Sequence, residues 1–140
     1  MPLLENEILP GAVAILETQP LFDDPRVLRA DDNSPFRSGP FLCVAVNGGR
    51  CMWLTLTTQR DHRGLRLQLR SEWLLEGSDV WRRSTQFVND ARKPFTGPLG
   101  TFVIAGANEL PHQPHNRPKV AAAGVTAAIA EMRRYGVGAL

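Results

Sequence analysis

Hydrophobic and polar positions along the chain predict one hairpin more clearly than any other element. The apolar run FLCVAV (41–46) is followed by Asn-Gly-Gly and by RCMWLTLTT (50–58). Asn-Gly between two such runs is typical of a tight hairpin turn, because both residues tolerate a positive φ. The first arm is apolar throughout, which predicts a central strand buried on both faces. Alternation assigns one face of the second arm to Met52, Leu54 and Leu56, and the other to Cys51, Trp53, Thr55 and Thr57.

Shorter runs predict the remaining strands. GAVAILET (11–18) is apolar and follows Pro-Gly, and the runs at 80–90 and 101–106 are read as strands in the same way. LRLQLR (65–70) alternates strictly, so its leucines are expected to point inward. The residues expected to face water or a ligand are Arg66, Gln68 and Arg70.

One C-terminal helix and several long connections complete the expected fold. The helix is predicted at about 117–135, with Asn116 as its N-cap and Gly136 as its stop. Its predicted packing stripe is Ala121, Val125, Ile129 and Met132. The predicted connections are a long loop at 19–40 with a turn of helix at 25–30, a turn at 71–79, and loops at 91–100 and 107–116. The expected fold class is mainly β (α+β): one domain over 1–140 forming a small β-barrel of five to six strands with a C-terminal α-helix.

Length and composition bound the class of protein. The 140 residues suit one domain, and no run approaches the roughly 18 apolar residues of a membrane span. The N-terminus, MPLLENEILPG, lacks the basic region of a signal peptide, so a cytoplasmic protein is expected. Cys43 and Cys51 lie in apolar runs and are expected to be free, buried thiols.

The charge is distributed unevenly along the chain. The net charge is +2, but residues 1–33 hold seven acids and two arginines, so the rest of the chain carries +7. Lys93 and Lys119 are the lysines among 16 basic residues. Such a preference for arginine has two explanations, a genome of high GC content or bidentate contacts to phosphate.

Several kinds of catalytic site find no support in the sequence. No serine stands in a G-x-S-x-G motif, and no glycine-rich phosphate-binding motif occurs. His112 and His115 lie in one proline-rich loop, and two ligands from one loop do not make a metal site. No metal and no cofactor are therefore expected.

Arginines cluster around the predicted strand at 65–70 and suggest an anion-binding face. The candidate RNA contacts are Arg60, Arg63, Arg66 and Arg70, with Arg82 and Arg83 following along the chain. Solvated strand edges carry such charges too, because they oppose edge-to-edge pairing. Trp53, Trp73 and Trp81 are near enough in sequence to offer stacking surfaces for bases, although core packing accounts for at least two of them.

The hairpin also predicts a meeting of Arg37 with Thr57 or Thr58. Arg37 precedes the first arm and the threonines end the second, so antiparallel pairing brings them to the same end. A permanent cation beside a hydroxyl donor suits a phosphate. Alternation directs only one of the two threonines to a given face, and Thr57 is preferred.

This order of features resembles the MazF/PemK-type toxins of toxin–antitoxin systems. The corresponding segments are LPGAVAIL, FRSGPFLCVAV, MWLTLTTQRD, and STQFVNDARKPFTGPLGTFVIAG with the terminal helix. The resemblance implies a small SH3-like barrel, related to that of CcdB-type gyrase poisons. One departure concerns the family's catalytic arginine, which directly precedes a proline. Here Gly39 precedes Pro40, so either Arg37 reaches the site from a shifted loop or the catalytic arginine has been lost.

The resemblance implies an endoribonuclease that cuts single-stranded RNA without a metal. Arg37 would lie near the scissile phosphate, Thr57 or Thr58 would donate a hydrogen bond to it, and Arg60 is a reserve candidate. The implied partners are single-stranded RNA, an acidic antitoxin protein and a second copy of the chain in a homodimer. Two other hypotheses remain: a CcdB-like protein that blocks a protein target, and an SH3-like module that binds nucleic acid without turnover.

Overall fold

The computed structural model describes residues 2–30, 37–60, 64–109 and 116–140. The strands are β1 (Val13–Glu17), β2 (Ser38–Asn47), β3 (Arg50–Thr57), β4 (Leu67–Gln68), β5 (Leu74–Leu75), β6 (Phe87–Val88), β7 (Phe95–Pro98) and β8 (Lys119–Val120). The helices are α1 (Gln19–Asp23), α2 (Asp79–Arg83), α3 (Leu99–Ala105) and α4 (Ala122–Arg134), with single 3-10 turns at Glu5–Glu7 and Ser71–Trp73. None of the helices in these ranges has the length and apolarity needed to cross a membrane.

An open antiparallel sheet organises these elements. Its strand order is β1-β2-β3-β6-β4, and β7 pairs with β3 beside β6, while β5 and β8 form a separate pair. Within the described ranges, no pairing joins β1 to β4 and closes the sheet. The α+β class is therefore confirmed, as a mainly antiparallel sheet with helices packed against it.

The predicted hairpin is present and determines the register of the sheet. Gly48 and Gly49 turn the chain with φ of 59° and 78°, a conformation that glycine adopts without strain. Cys43 lies opposite Trp53, but Ala45 lies opposite Met52, so Val44 is an extra residue in a β-bulge. The bulge lets Val44 and Ala45 both pack on the same core.

Each face of the hairpin is buried in its own core. The core under α4 contains Leu42, Val44, Met52, Leu54 and Leu56 from the hairpin, with Val125, Ala128 and Met132 from α4. The core under α3 contains Phe41, Cys43, Cys51 and Trp53, with Phe102 and Ala105 from α3. The Trp53 ring stacks on the Phe102 ring with their centroids 5.7 Å apart. The predicted division of β3 into two faces is confirmed, and so is the burial of β2 on both.

The predicted strand at 80–90 is wrong over its first half. Residues 79–83 form α2, and only Phe87–Val88 is a strand. Ser78 caps the helix, since its hydroxyl accepts a hydrogen bond from the Trp81 N–H at 3.2 Å. Asp79 at the start and two arginines at the end suit the helix dipole, and this capping signal outweighs the apolar run.

The predicted strand at 101–106 is also wrong, because Leu99–Ala105 is helix α3. Thr101, Phe102 and Ala105 are buried while Ile104 is exposed, which is a helical spacing. The preceding loop, predicted at 91–100, instead contains β7, which pairs with β3. A run of six apolar residues does not distinguish helix from strand by its period alone.

Two helix boundaries also differ from prediction. The C-terminal helix starts at Ala122, because residues 119–120 pair with β5 as β8. Asn116 is therefore not its N-cap, and its side-chain amide donates to a Glu76 carboxylate oxygen at 3.2 Å. Gly136, with φ of 79°, ends the helix as predicted. The helical turn expected at 25–30 lies earlier, as α1.

Candidate functional site

Most of the residues with predicted roles lie at the end of the sheet where β2 begins and β3 ends. Phe41 lies opposite Thr55, so the residues before Phe41 and after Thr55 lie at this end. On the other side of β3, Thr57 lies opposite Phe87, and Phe87 lies opposite Gln68. Two strand spacings separate β3 from β4, so the Thr57 and Gln68 backbones are roughly 10 Å apart.

Alternation along these strands separates a polar face from the core under α4. Leu56, Leu67 and Val88 pack in or against that core, so the residues beside them point the other way. We call this set the polar face: Thr57, Arg66, Gln68, Arg70 and Asn89. Its members come from β3, from β6 and from the chain around β4, and the central Phe87 is buried among them.

Arg37 lies at the same end of the sheet. Its carbonyl oxygen accepts a hydrogen bond from the Thr18 N–H at 3.2 Å, which holds the backbone just before β2 against the end of β1. Counting back from Phe41 by alternation puts Arg37 on the side of the polar face. The residue is exposed, and its guanidinium has no hydrogen bond or ion pair within the described ranges.

The two threonines differ in their surroundings. The Thr57 hydroxyl oxygen accepts a hydrogen bond from the Gln59 N–H at 3.2 Å, which fixes the turn after β3. This bond uses a lone pair and leaves the hydroxyl hydrogen available for donation. Thr58 is exposed, and alternation directs it away from the polar face. Thr57 is therefore the threonine that shares a face with the arginines.

The four arginines predicted to contact RNA are not equivalent. Arg66 donates to the Gln59 carbonyl at 2.7 Å and to the Asn89 side chain at 3.0 Å, so it braces the turn after β3. The Arg70 guanidinium lies 5.4 Å from the centre of the Trp73 ring and 3.8 Å from Glu72. Arg60 is exposed, and Arg63 lies outside the described residues. Arg60 and Arg70 are thus the more accessible cations.

Next to this end lies a buried amide that the sequence did not single out. Gln86 is 7% exposed, and its backbone carbonyl accepts a hydrogen bond from the Leu69 N–H. Its side-chain N–H₂ donates to the Ser84 hydroxyl, whose own hydrogen goes to the Trp81 carbonyl. This order fixes the orientation of the amide and leaves Oε1 without a hydrogen bond from the described part of the chain.

A buried ion network lies on the β1 edge of the sheet, away from the polar face. Arg117 contacts the Glu109 carboxylate at 2.6 Å and both oxygens of Glu7 at 3.1 and 3.2 Å. Glu109 also accepts from the Ile15 N–H at 2.6 Å. Burial opposes the charged form of Arg117, but its hydrogen bonds to the two glutamate carboxylates outweigh burial and raise the pKa of Arg117. The network joins the N-terminus, β1 and the chain before β8.

A pocket of about 470 Å³ lies between α1 and α3, and its charged side chains are already hydrogen-bonded within the protein. Pro20, Pro98 and Ile104 line it, and its carboxylate Asp24 is held by Arg26 and by the Thr101 hydroxyl at 2.5 Å. These hydrogen bonds, from Arg26 first, lower the pKa of Asp24. The pocket is open and mostly apolar, and its second carboxylate, Asp23, accepts a hydrogen bond from the Gln19 side-chain amide at 2.7 Å.

The contact between Asp24 and Arg26 is a turn device that the chain uses twice. Asp90 accepts from the N–H and side chain of Arg92 with the same pattern of three hydrogen bonds. The side-chain bond from Arg92 also lowers the pKa of Asp90. Because the same three hydrogen bonds recur at a second turn, the pairing explains the turn rather than a site.

Both cysteines are free and buried, as predicted. Burial raises the pKa of Cys43 to about 12 and that of Cys51 to about 11, so neither is a nucleophile at neutral pH. The Trp53 indole N–H points to the Cys51 sulfur at 3.1 Å. Within the described ranges, no group of three or more metal-ligating side chains comes together. The three histidines, His62, His112 and His115, fall outside those ranges.

Comparison with known proteins adds no family to these observations. Searches against protein-family models, curated proteins and solved structures found no match to this chain.

Proposed function

We propose that this chain binds single-stranded RNA across the polar face and cleaves it without a metal, as the cytoplasmic toxin of a toxin–antitoxin pair. The observation that supports this most is that exposed Arg37 and Thr57 both lie just beyond the last paired residues of the hairpin, Phe41 and Thr55, at the same end of β2 and β3. In this proposal, the open sheet is a variant of the SH3-like barrel of the MazF/PemK-type toxins that the sequence resembles.

The proposed reaction is an attack of RNA on its own backbone. The 2′-hydroxyl loses its proton and its oxygen bonds to the adjacent phosphorus, while the bond from phosphorus to the 5′-oxygen breaks and that oxygen gains a proton. The products are a 2′,3′-cyclic phosphate and a 5′-hydroxyl. Arg37 binds a non-bridging oxygen, and the Thr57 hydroxyl donates to the same phosphate, so both stabilise the charge of the transition state.

The remaining cations hold the strand on either side of that phosphate. Arg60, Arg63 and Arg70 bind neighbouring phosphates, which makes affinity dependent on salt. Arg66 contributes by bracing the turn that carries Thr57 and Gln59. An acidic antitoxin segment would compete for the same cations, and a homodimer would present two such faces.

A second candidate is a module that binds RNA without cleaving it. Cleavage requires a proton acceptor and a proton donor. The five side chains of the polar face include no carboxylate and no imidazole, and Arg66 is already bonded to Asn89 and Gln59. This composition favours binding if the base is not supplied from elsewhere in the chain.

Incubation of the protein with single-stranded RNA in EDTA tests the cleaving function. We expect fragments that carry a cyclic phosphate and a 5′-hydroxyl. Arg37→Ala and Thr57→Ala should each slow cleavage by about 100- to 1000-fold, the usual effect of removing one donor to a transition-state anion.

Two matched variants serve as controls. Arg133→Ala and Thr126→Ala remove an exposed arginine and an exposed threonine from α4, and they should cleave at the wild-type rate. Binding of RNA by folded protein with no fragments under any condition would leave the binding module as the function. Absence of both binding and cleavage would contradict both candidates.

A further inference from the structure

We infer that Trp73, together with Arg70, forms a stacking site for one base of single-stranded nucleic acid. The inference rests on the proposed function and specifies how the strand continues beyond the polar face. It concerns the corner where β4 leads into the 3-10 turn at Ser71–Trp73, which none of the predicted catalytic residues occupies.

Trp73 is the tryptophan that is not enclosed by the core. Trp53 is fully buried and Trp81 is 9% exposed, and the Trp81 indole N–H is bonded to the Leu75 carbonyl. Trp73 is partly exposed, more so than Trp53 or Trp81. A planar ring that is partly accessible can stack with a base, and such stacking tolerates any base.

The ring is held in place from the protein side. A Cβ atom at Gly124 would lie 3.2 Å from the ring carbon Cε3 of Trp73, so the glycine lets the indole lie directly on α4. The Trp73 backbone donates to the Arg70 carbonyl at 3.0 Å and accepts from the Ala121 N–H at 2.8 Å. A ring fixed in this way loses little conformational freedom when a base stacks on it.

Arg70 links this ring to the polar face. Its guanidinium lies 5.4 Å from the centre of the Trp73 ring, and the side chain is 71% exposed. Its ion pair with Glu72, at 3.8 Å between exposed side chains, is weak and easily exchanged. The guanidinium can therefore turn to the phosphate of a nucleotide whose base takes its place over the ring.

The path from Thr57 to Trp73 follows the strand order. Thr57, Phe87 and Gln68 form one row across β3, β6 and β4, and β4 is the last strand on that side of the sheet. Arg70 follows two residues after Gln68, at the same end, and Trp73 lies beyond it. An RNA strand whose scissile phosphate lies at Thr57 thus reaches Trp73 by crossing two strands and the sheet edge.

Tryptophan fluorescence during titration with single-stranded 2′-O-methyl RNA tests the inference, because this RNA lacks the attacking hydroxyl and is not consumed. A labelled copy of the same RNA reports binding independently by anisotropy. We expect binding to quench the wild-type fluorescence. Trp73→Phe should keep most of the affinity but lose the quenching, whereas Trp81→Phe should keep both, since Trp81 is enclosed by the core.

Trp73→Leu should weaken binding about 5- to 150-fold, the range for removing one stacking ring. If this variant does not fold, the fluorescence quenching measured with Trp73→Phe still tests the stacking site. Binding by anisotropy with quenching that survives in Trp73→Phe would overturn the stacking site alone. No binding by the wild-type protein would overturn the proposed function and the stacking site together.

Discussion

Two regions of the molecule each centre on an arginine, and the two arginines differ in their burial and in their hydrogen-bond partners. Arg117 is 5% exposed, and two glutamates and a backbone carbonyl occupy its donors. Arg37 is exposed and has only a backbone contact among the described residues. Arg117 is a structural brace because its donors are taken, whereas the open donors of Arg37 are the ones that the proposed RNA site would use.

The largest expected effect comes from Arg117→Met. The variant removes the buried guanidinium that pairs with Glu7 and Glu109, so we expect the free energy of unfolding to fall by about 3–5 kcal/mol. Urea denaturation measures this. Arg37→Met is the matched control and should stay within about 0.5 kcal/mol of wild type. Equal losses in the two variants would remove the distinction between the regions.

Arg66 tests whether a member of the polar face behaves more like Arg117. Its two hydrogen bonds, to Gln59 and Asn89, predict that Arg66→Met lowers the free energy of unfolding by about 1.5 kcal/mol. Arg60→Met removes a neighbouring exposed arginine and should leave stability unchanged. If Arg66→Met leaves the free energy of unfolding unchanged, Arg66 instead belongs with the exposed arginines that are proposed to bind RNA.

Gln86 is the opposite of Arg117, since it is buried while its Oε1 accepts no hydrogen bond from the described part of the chain. Gln86→Met removes the unpaired oxygen and also the hydrogen bond to Ser84. We expect the free energy of unfolding to rise by about 1 kcal/mol, so that the variant is more stable than wild type. The midpoint of urea denaturation measures this change. Lower stability in the variant would show that Oε1 is in fact satisfied.

The smallest expected effect concerns Asp24. Its carboxylate is already hydrogen-bonded to Arg26 and Thr101, but the Arg26 side chain is exposed to solvent. Its folded-state pKa is lowered below the unfolded value of about 3.9, so its ionised form stabilises the fold above that pH. That stability is lost as the pH falls. Thermal melts should show Asp24→Asn less stable than wild type at pH 7, and the difference should shrink below about pH 4. A difference independent of pH would assign the effect to shape rather than charge.

The parts of the fold that the sequence predicts correctly are those with local signals. Asn47 and the two glycines after it specify the turn, and the unbroken apolar run of β2 specifies burial on both faces. Alternation in β3 predicts that Thr57 shares a face with Trp53, and the structure confirms it. Each of these signals lies within about ten residues of the feature it predicts.

The features that sequence reasoning missed depend on distant contacts or on competing local signals. Arg117 and Glu7 are 110 residues apart, so nothing in the sequence around either indicates their pairing. Ser78 and Asp79 signalled the start of α2, but the apolar residues after them suggested a strand. The partial exposure of Trp73 and the lack of a hydrogen bond to the Gln86 Oε1 from the described part of the chain emerge only once α4 and β6 are in place.

The salt dependence of RNA binding tests most directly the claim that the arginines at the end of the hairpin are the ligand groups. For a single strand, the slope of log K against log salt changes by about 0.7 for each phosphate that the protein neutralises. We predict that Arg37→Ala reduces the slope for 2′-O-methyl RNA by about that amount, while Arg133→Ala leaves it unchanged. An Arg37→Ala slope equal to that of wild type would contradict the account.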